Sequence, residues 1–348
     1  MRNSAKLLLS DYQEAREELV QSFSSIERVD GIYEAGSVTV CGLSDLDFVV
    51  FVSDSWKLSD TKRYKKIISK FSNMLSSLIG DGNILLVNSA SAGNIKIIDD
   101  FNLRELYYNR EFAFVEFNEK EYEILRVMDW LPERLSKIAA VSARGYVLDH
   151  FRLHGVLKSL LVSLTKVESL IVSDNFSAEL ETQKNVLNTL RQNFVARAGA
   201  GRYAQDMRRV SVNLFKLACD AVNLFAEYLH CSNQFVLVEK TPSSNKFYPF
   251  DMESKRMVSI FGVKFVVSIP SVYFLCLYLQ AHQRNELSHK LQGDLEVSFD
   301  LNNCTWFVSE KIMHAIRNRS NYTNQQMLFL KKNNLTRGLL KYGFYLNE

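Results

Sequence analysis

The residues best placed to do chemistry in this sequence lie between Tyr33 and Val52, in YEAGSVTVCGLSDLDFVVFV. Asp45 and Asp47 alternate there with Leu46 and Phe48 at the head of an apolar run that reads as a strand. Strand side chains alternate between faces, so both carboxylates project from one face, about 6.6 Å apart at a rise of about 3.3 Å per residue. Buried without partners, such a pair would be costly; facing solvent, it can share divalent cations. Magnesium is the natural choice, because it takes oxygen ligands and is held by one or two carboxylates together with substrate phosphates; manganese accepts the same donors. Upstream, Gly36 and Ser37 close the preceding strand-like run. Glycine lets a backbone come close to a ligand, and backbone N–H groups with a serine hydroxyl can hold phosphate oxygens. A phosphate grip beside a metal-binding acid pair is what phosphoryl or nucleotidyl transfer needs, since catalysis there is mostly positioning and charge neutralisation.

This order of parts resembles the DNA polymerase β-like nucleotidyltransferase superfamily at Gly36, Ser37, Ser44, Asp45 and Asp47. The resemblance implies a catalytic palm and an NTP substrate, with ATP first among the candidates. It implies magnesium on Asp45 and Asp47, and Gly36, Ser37 and Ser44 on the nucleotide, Gly36 and Ser37 at its β/γ-phosphates. It also implies a third carboxylate on a neighbouring strand, completing the metal site and assisting the attacking hydroxyl. Asp99, with Asp100 beside it at the end of NIKIIDD, is the first candidate, and Glu116 in EFAFVEF is the runner-up. The loop from Ser37 to Asp45 is short for many members, which leaves the subfamily open. Singly, a Ser-Asp cap and a turn glycine are common; their joint order favours the transferase over coincidence.

The elements that must position these residues follow from periodicity. Residues 5–25 have helical spacing, with Leu8, Tyr12, Ala15 and Leu19 on one stripe. Strands are predicted at 31–37 and 46–52, a helix from Ser59-Asp60 to about Leu78, and two strands, 83–88 and 94–99, around the turn SASAG. After Glu119 the pattern is helical almost throughout, at 119–140, 144–172, 177–195 and 203–230. The predicted architecture is α+β: a small mixed-sheet palm over 1–118, then a larger, mainly helical domain over 119–348 with a β-hairpin near 256–269. Family members tend to carry a helical domain behind the palm, which agrees.

Composition is that of an ordinary globular protein: 348 residues, 47% hydrophobic and 23% charged. Only 14 glycines and 4 prolines favour long helices over sandwiches and propellers. The five scattered cysteines form neither a disulfide framework nor a zinc knuckle, which fits a reducing cytosol. The opening MRNSAKLLLSDYQEAR lacks the apolar core of about 7–15 residues that a secretory signal needs. In the most apolar stretch, Met257 to His282, Lys264, Ser268 and Pro270 intervene before about 18 clean apolar residues accumulate. A cytoplasmic protein without a membrane span is expected.

Basic residues gather in two segments. Lys184 to Lys216 carries seven against Asp206 alone, and Lys311 to Lys341 carries seven and no acid. These segments suit phosphates and point to an RNA end or a nucleotide as acceptor, with Tyr203 and Tyr322 able to stack on bases; solvated helix faces explain them as well. A small molecule or a protein side chain would need no such patch as acceptor. A non-catalytic nucleotide- or RNA-binding module is the rival from another class. Three weaker signals stand beside these. His150 and His154 are four apart and could share a metal, though satisfied histidines are commoner. Arg284 to His289 resembles the Arg-x4-His motif of HEPN-type ribonucleases, or is a polar turn after a buried helix. Arg202, Arg208 and Arg209 could reach a triphosphate, and the AGAG run at 198–201 reads as a joint between helices.

Overall fold

Tyr12, Ala15, Leu19 and Phe23 recur three and four apart along the first helix, α1 (Leu9–Ser24), and all four are fully buried. Leu8 precedes the helix and is exposed, so the buried stripe begins at Tyr12. In this computed structural model, residues 7–79, 84–143, 150–194, 201–232, 235–239, 255–260, 263–268 and 304–335 are described. The protein is α+β and divides into two compact units, Met1–Asn118 with Arg317–Glu348, and Glu119–Ile316. This division differs from a single helical domain over 119–348 in that the described residues 317–335 group with the first unit.

The first unit is built on a four-stranded mixed sheet in the order β3-β2-β1-β4. Its strands are β1 (Val29–Ala35), β2 (Asp47–Val52), β3 (Ile84–Asn88) and β4 (Leu103–Tyr108). β1 runs antiparallel to β2 and β4, and β2 runs parallel to β3. Phe48 through Val52 are all buried, as expected of a central strand covered on both faces. One face carries an aromatic cluster in which Phe51 lies 5.3 Å from Tyr33 and 4.6 Å from Phe112 between ring centroids. The other face takes α1, whose Arg16 reaches Glu34 on β1.

Two local predictions are corrected. The single helix over 59–78 is two helices, α2 (Leu58–Ile68) and α3 (Asn73–Ile79). Ser72 makes the break: its hydroxyl accepts the N–H of Leu75 at 3.1 Å and donates to Glu18 of α1 at 2.6 Å, starting a new helix. The strand at 94–99 is instead a 3₁₀ helix, Ser89–Ile97, capped by Asn88, whose side chain accepts the N–H of Ala90 at 2.8 Å. Ala92, Ile95 and Ile98 are three apart and fully buried, the spacing that stacks side chains on one side of a 3₁₀ turn. The missing strand is β4, whose residues are mostly half-buried or exposed and so carry a weak apolar signal.

The second unit contains α4 (Lys120–Ala143), α5 (His150–Leu170), α6 (Asp174–Gln192) and α7 (Gly201–Cys231). Ser173 caps α6, and Phe176, Leu180, Gln183, Leu187 and Leu190 form its buried stripe. Strands β5 (Phe235–Glu239) and β8 (Cys304–Val308) pair antiparallel, as do β6 (Lys255–Ile260) and β7 (Val263–Ser268), the expected hairpin. The last helix, α8 (Glu310–Lys332), contains the division between the units. Arg284 and His289 lie outside the described residues, as do residues 195–200 of the AGAG region.

Candidate functional site

β1 ends at Ala35, directly opposite Asp47, the first residue of β2. Between them the chain must reverse, and Gly36 does so with φ +88°, in the left-handed region that glycine enters without a steric penalty. A Cβ at Gly36 would meet nothing within 4 Å, so the space over this turn is open, and Ser37 beside it is exposed. The Gly36 N–H is taken by the carbonyl of Asn102 at 3.1 Å. Gly36 therefore shapes the turn, and Ser37 is the residue of the two with a hydroxyl to offer a phosphate.

Ser44 has a different task from the one expected. It is 4% exposed, and its hydroxyl accepts the N–H groups of Thr39 and Val40, both at 3.1 Å. Its carbonyl accepts the hydroxyl of Tyr12 at 2.7 Å, and the same Tyr12 oxygen accepts the N–H of Gly42 at 3.0 Å. Burial holds the Tyr12 hydroxyl above its ordinary pKa, so it stays a donor. Ser44 folds the loop back on itself, and its hydroxyl is turned to these backbone groups. The loop is closed at its far end by the N–H of Leu46 on the carbonyl of Leu78 in α3, at 3.0 Å.

Downstream of this anchor, Asp45 and Asp47 are exposed while Leu46 and Phe48 are 0% and 1% exposed. Asp45 precedes β2, and Asp47, its first residue, stands opposite Ala35 at the end of the sheet where the Gly36–Ser37 turn also lies. Two exposed carboxylates fit magnesium as part of an oxygen shell that phosphates and water would complete. A fuller protein cage is not formed: among the described residues, no three or more His, Cys, Asp or Glu side chains gather closely enough to hold a metal.

Among the described residues, none of the candidate third carboxylates gathers with the pair in such a group. Asp99 follows the 3₁₀ helix and leads into β4, which is separated from β2 by β1, or about 10 Å of sheet. Its Oδ1 accepts the N–H of Asp100 at 2.9 Å. Asp100 is exposed in the same turn, and Glu116 is ion-paired with Lys96. The resemblance implies a third carboxylate on a neighbouring strand, whereas Asp99 follows a 3₁₀ helix.

A cleft of about 800 Å³ opens beside the turn, lined in part by Gln13, Arg16, Glu34, Ser37, Asn102 and Arg104. It lies on the α1 side, because Glu34 shares a face with Phe48, whereas Ala35 shares the opposite face with Asp47. Neither aspartate lines it. Sequence reasoning missed this charged group, although an arginine within the buried stripe of α1 and a glutamate inside a core strand are each a signal, since such charges are rarely buried unless paired.

The remaining candidates resolve into structure. His154 is fully buried against the Tyr203 hydroxyl, with its ring 5.4 Å from that of Phe194, a core histidine. Tyr203 and Tyr322 are 3% and 4% exposed and cannot stack on bases. In the first basic segment Lys184 pairs with Glu168 at 3.4 Å, Arg191 is buried, and Arg209 pairs with Asp206 at 3.0 Å. In the second, Arg319 is fully buried, while Lys311, Arg317, Lys331 and Lys332 are exposed. Cys41, Cys219 and Cys231 are free thiols. Among the described residues, no helix is long and apolar enough to cross a membrane.

No protein-family model matches the chain, and no curated protein matches it. Among solved structures, a nucleotidyltransferase-like protein from Exiguobacterium sibiricum 255-15 is similar over 74% of this chain and 98% of its own, at 10% identity and a TM-score of 0.27. A likeness of that size bears on neither the family nor the chemistry of this chain.

Proposed function

We propose that the first unit is a magnesium-dependent nucleotidyltransferase that moves an NMP from an NTP, ATP first among the candidates, to an acceptor hydroxyl. What supports this reading is that Asp45 and Asp47 are both exposed and that Asp47 stands opposite Ala35, next to the open Gly36–Ser37 turn. Asp45 and Asp47 would hold the ion, and Ser37 would hold a phosphate oxygen. Bound there, magnesium would neutralise charge on the phosphates and on the departing pyrophosphate. In the transfer, the acceptor oxygen bonds the α-phosphorus, the bond to the β-phosphate oxygen breaks, and pyrophosphate leaves. The hydroxyl proton passes to one of the two aspartates or to water, since among the described residues no third carboxylate gathers with them.

The acceptor proposed is an RNA end or a nucleotide, supported by the exposed cations Arg317, Lys331 and Lys332 of the same unit. Labelled ATP with magnesium, incubated with total RNA, with a metabolite pool or with the protein alone, assigns it by the fraction that takes up label. Asp47→Asn should lower transfer on the order of 100-fold or more with the fold intact; an unchanged rate overturns the proposal. That no third acid gathers with the pair among the described residues favours one second reading, a nucleotide-binding module without catalysis. It predicts magnesium-dependent ATP binding and no label transfer to any fraction.

A further inference from the structure

Beyond the nucleotide reading, we infer that the cleft on the α1 side of the sheet is a second ligand site, taking the oxyanion end of a small molecule on Arg104. The charged side chains lining it are Arg16, Glu34 and Arg104, a net of +1. Glu34 is 3% exposed, and its charge is already matched by Arg16, whose Nε and Nη2 each donate to the carboxylate at 2.9 Å. Arg16 is itself buried, so this pair is internal to the fold.

Arg104 is therefore not needed to neutralise Glu34. It sits directly across from Glu34 in the β1–β4 pairing and meets Oε2 through Nη2, yet its side chain remains 57% exposed. A buried carboxylate thus steadies an exposed guanidinium and leaves the rest of its planar fork for a ligand. Such a fork takes two oxygens of a phosphate or carboxylate at once. The surroundings suit an oxyanion as well: Ser37 and Asn102 are exposed polar neighbours, and the space over Gly36 is open. At about 800 Å³ the cleft matches small-molecule sites, which run to about 300–1,000 Å³. Neither aspartate lines it, and Asp47 is on the opposite face of the sheet.

The test is calorimetric titration of the full chain at low salt in EDTA, with inorganic phosphate, pyrophosphate and citrate as separate probes. At least one should bind at millimolar concentration or below, and the phosphate and citrate arms separate the two oxyanion classes. Arg104→Gln should weaken that binding about tenfold or more. Ser37→Asp, which puts a like charge in the cleft at an exposed position, should weaken it too, and Asp47→Asn should leave it unchanged. Thermal melts by circular dichroism establish that each variant is folded. No binding of any probe by the wild-type protein, or binding indifferent to Arg104→Gln, overturns the inference. So does loss on Asp47→Asn, which would put the anion at the aspartates. Because the assay holds neither metal nor NTP, a protein that fails to transfer label can still pass it.

Discussion

The hydroxyl of Tyr12 donates a 2.7 Å hydrogen bond to the carbonyl oxygen of Ser44, across 32 residues of sequence. Ser44 immediately precedes Asp45, so the acid pair is tied to the first helix of the fold through one buried phenol. The same oxygen accepts the Gly42 N–H, and the Ser44 hydroxyl gathers two further N–H groups. A loop of eleven residues between Ala35 and Asp47 is thereby fixed at its middle by side chains, without regular secondary structure.

Removing that phenol is the direct test. Tyr12→Phe keeps the ring and its packing but leaves the Gly42 N–H and the Ser44 carbonyl without their partner in a buried setting. Each unmade bond of this kind costs about 1–3 kcal/mol. Urea unfolding should show a loss of about 1–3 kcal/mol for the pair, because the loop can relax to recover part of it. Magnesium-dependent ATP binding should weaken alongside. Unchanged stability together with unchanged binding would mean that the loop holds its shape without α1.

Tyr33 gives a prediction in pH. Burial first, and then its hydrogen bond to Glu105, push its hydroxyl from 10.0 up to about 12. The unfolded chain loses this proton near the ordinary value, the folded chain only near pH 12. Stability from the protonated hydroxyl is therefore complete below pH 10 and is lost as pH climbs from 10 towards 12. Tyr12, Tyr64 and Tyr322 are raised in the same direction, so the whole unit should weaken over this range. Tyr33→Phe should flatten the fall in the urea midpoint between pH 9 and 11.5 without abolishing it. Equal slopes for variant and wild type would show that this hydroxyl ionises alike in both states.

What could be read ahead of the structure was set by how local the physics is. The alternation at Leu46, Asp47 and Phe48 depends only on the two-residue repeat of a strand, and the burial pattern follows it. The hairpin of β6 and β7 and the long helices after Glu119 were legible for the same reason. Ile95, Ile97 and Ile98 read equally as a strand or as a buried 3₁₀ turn, and a cap by Asn88 decided between them. Arg16, Glu34 and Arg104 come together from a helix and two strands far apart in sequence, and Ser44 is held by backbone groups whose positions no pattern announces. The grouping of the last segment with the first unit is likewise a matter of tertiary hydrogen bonds.

Those bonds can be weighed one at a time. Thr61 on α2 is fully buried; its hydroxyl accepts the indole N–H of Trp56 at 2.9 Å and donates to the carbonyl of Asn333 at 2.9 Å. Nearby, the exposed Lys65 donates to the carbonyl of Asn334 at 3.2 Å. Thr61→Val keeps the shape but orphans a buried donor and a buried acceptor, and should cost about 1–3 kcal/mol. Lys65→Ala removes a bond that water replaces, and should cost under about 0.5 kcal/mol. Amide hydrogen exchange is the measurement, since it reports local opening element by element. In Thr61→Val, protection should fall in α2 and at the C-terminal end of α8 together, because one hydroxyl joins them. A fall confined to α2 would mean that the chain after Arg317 holds its place by other contacts, and that the hydroxyl serves Trp56 alone.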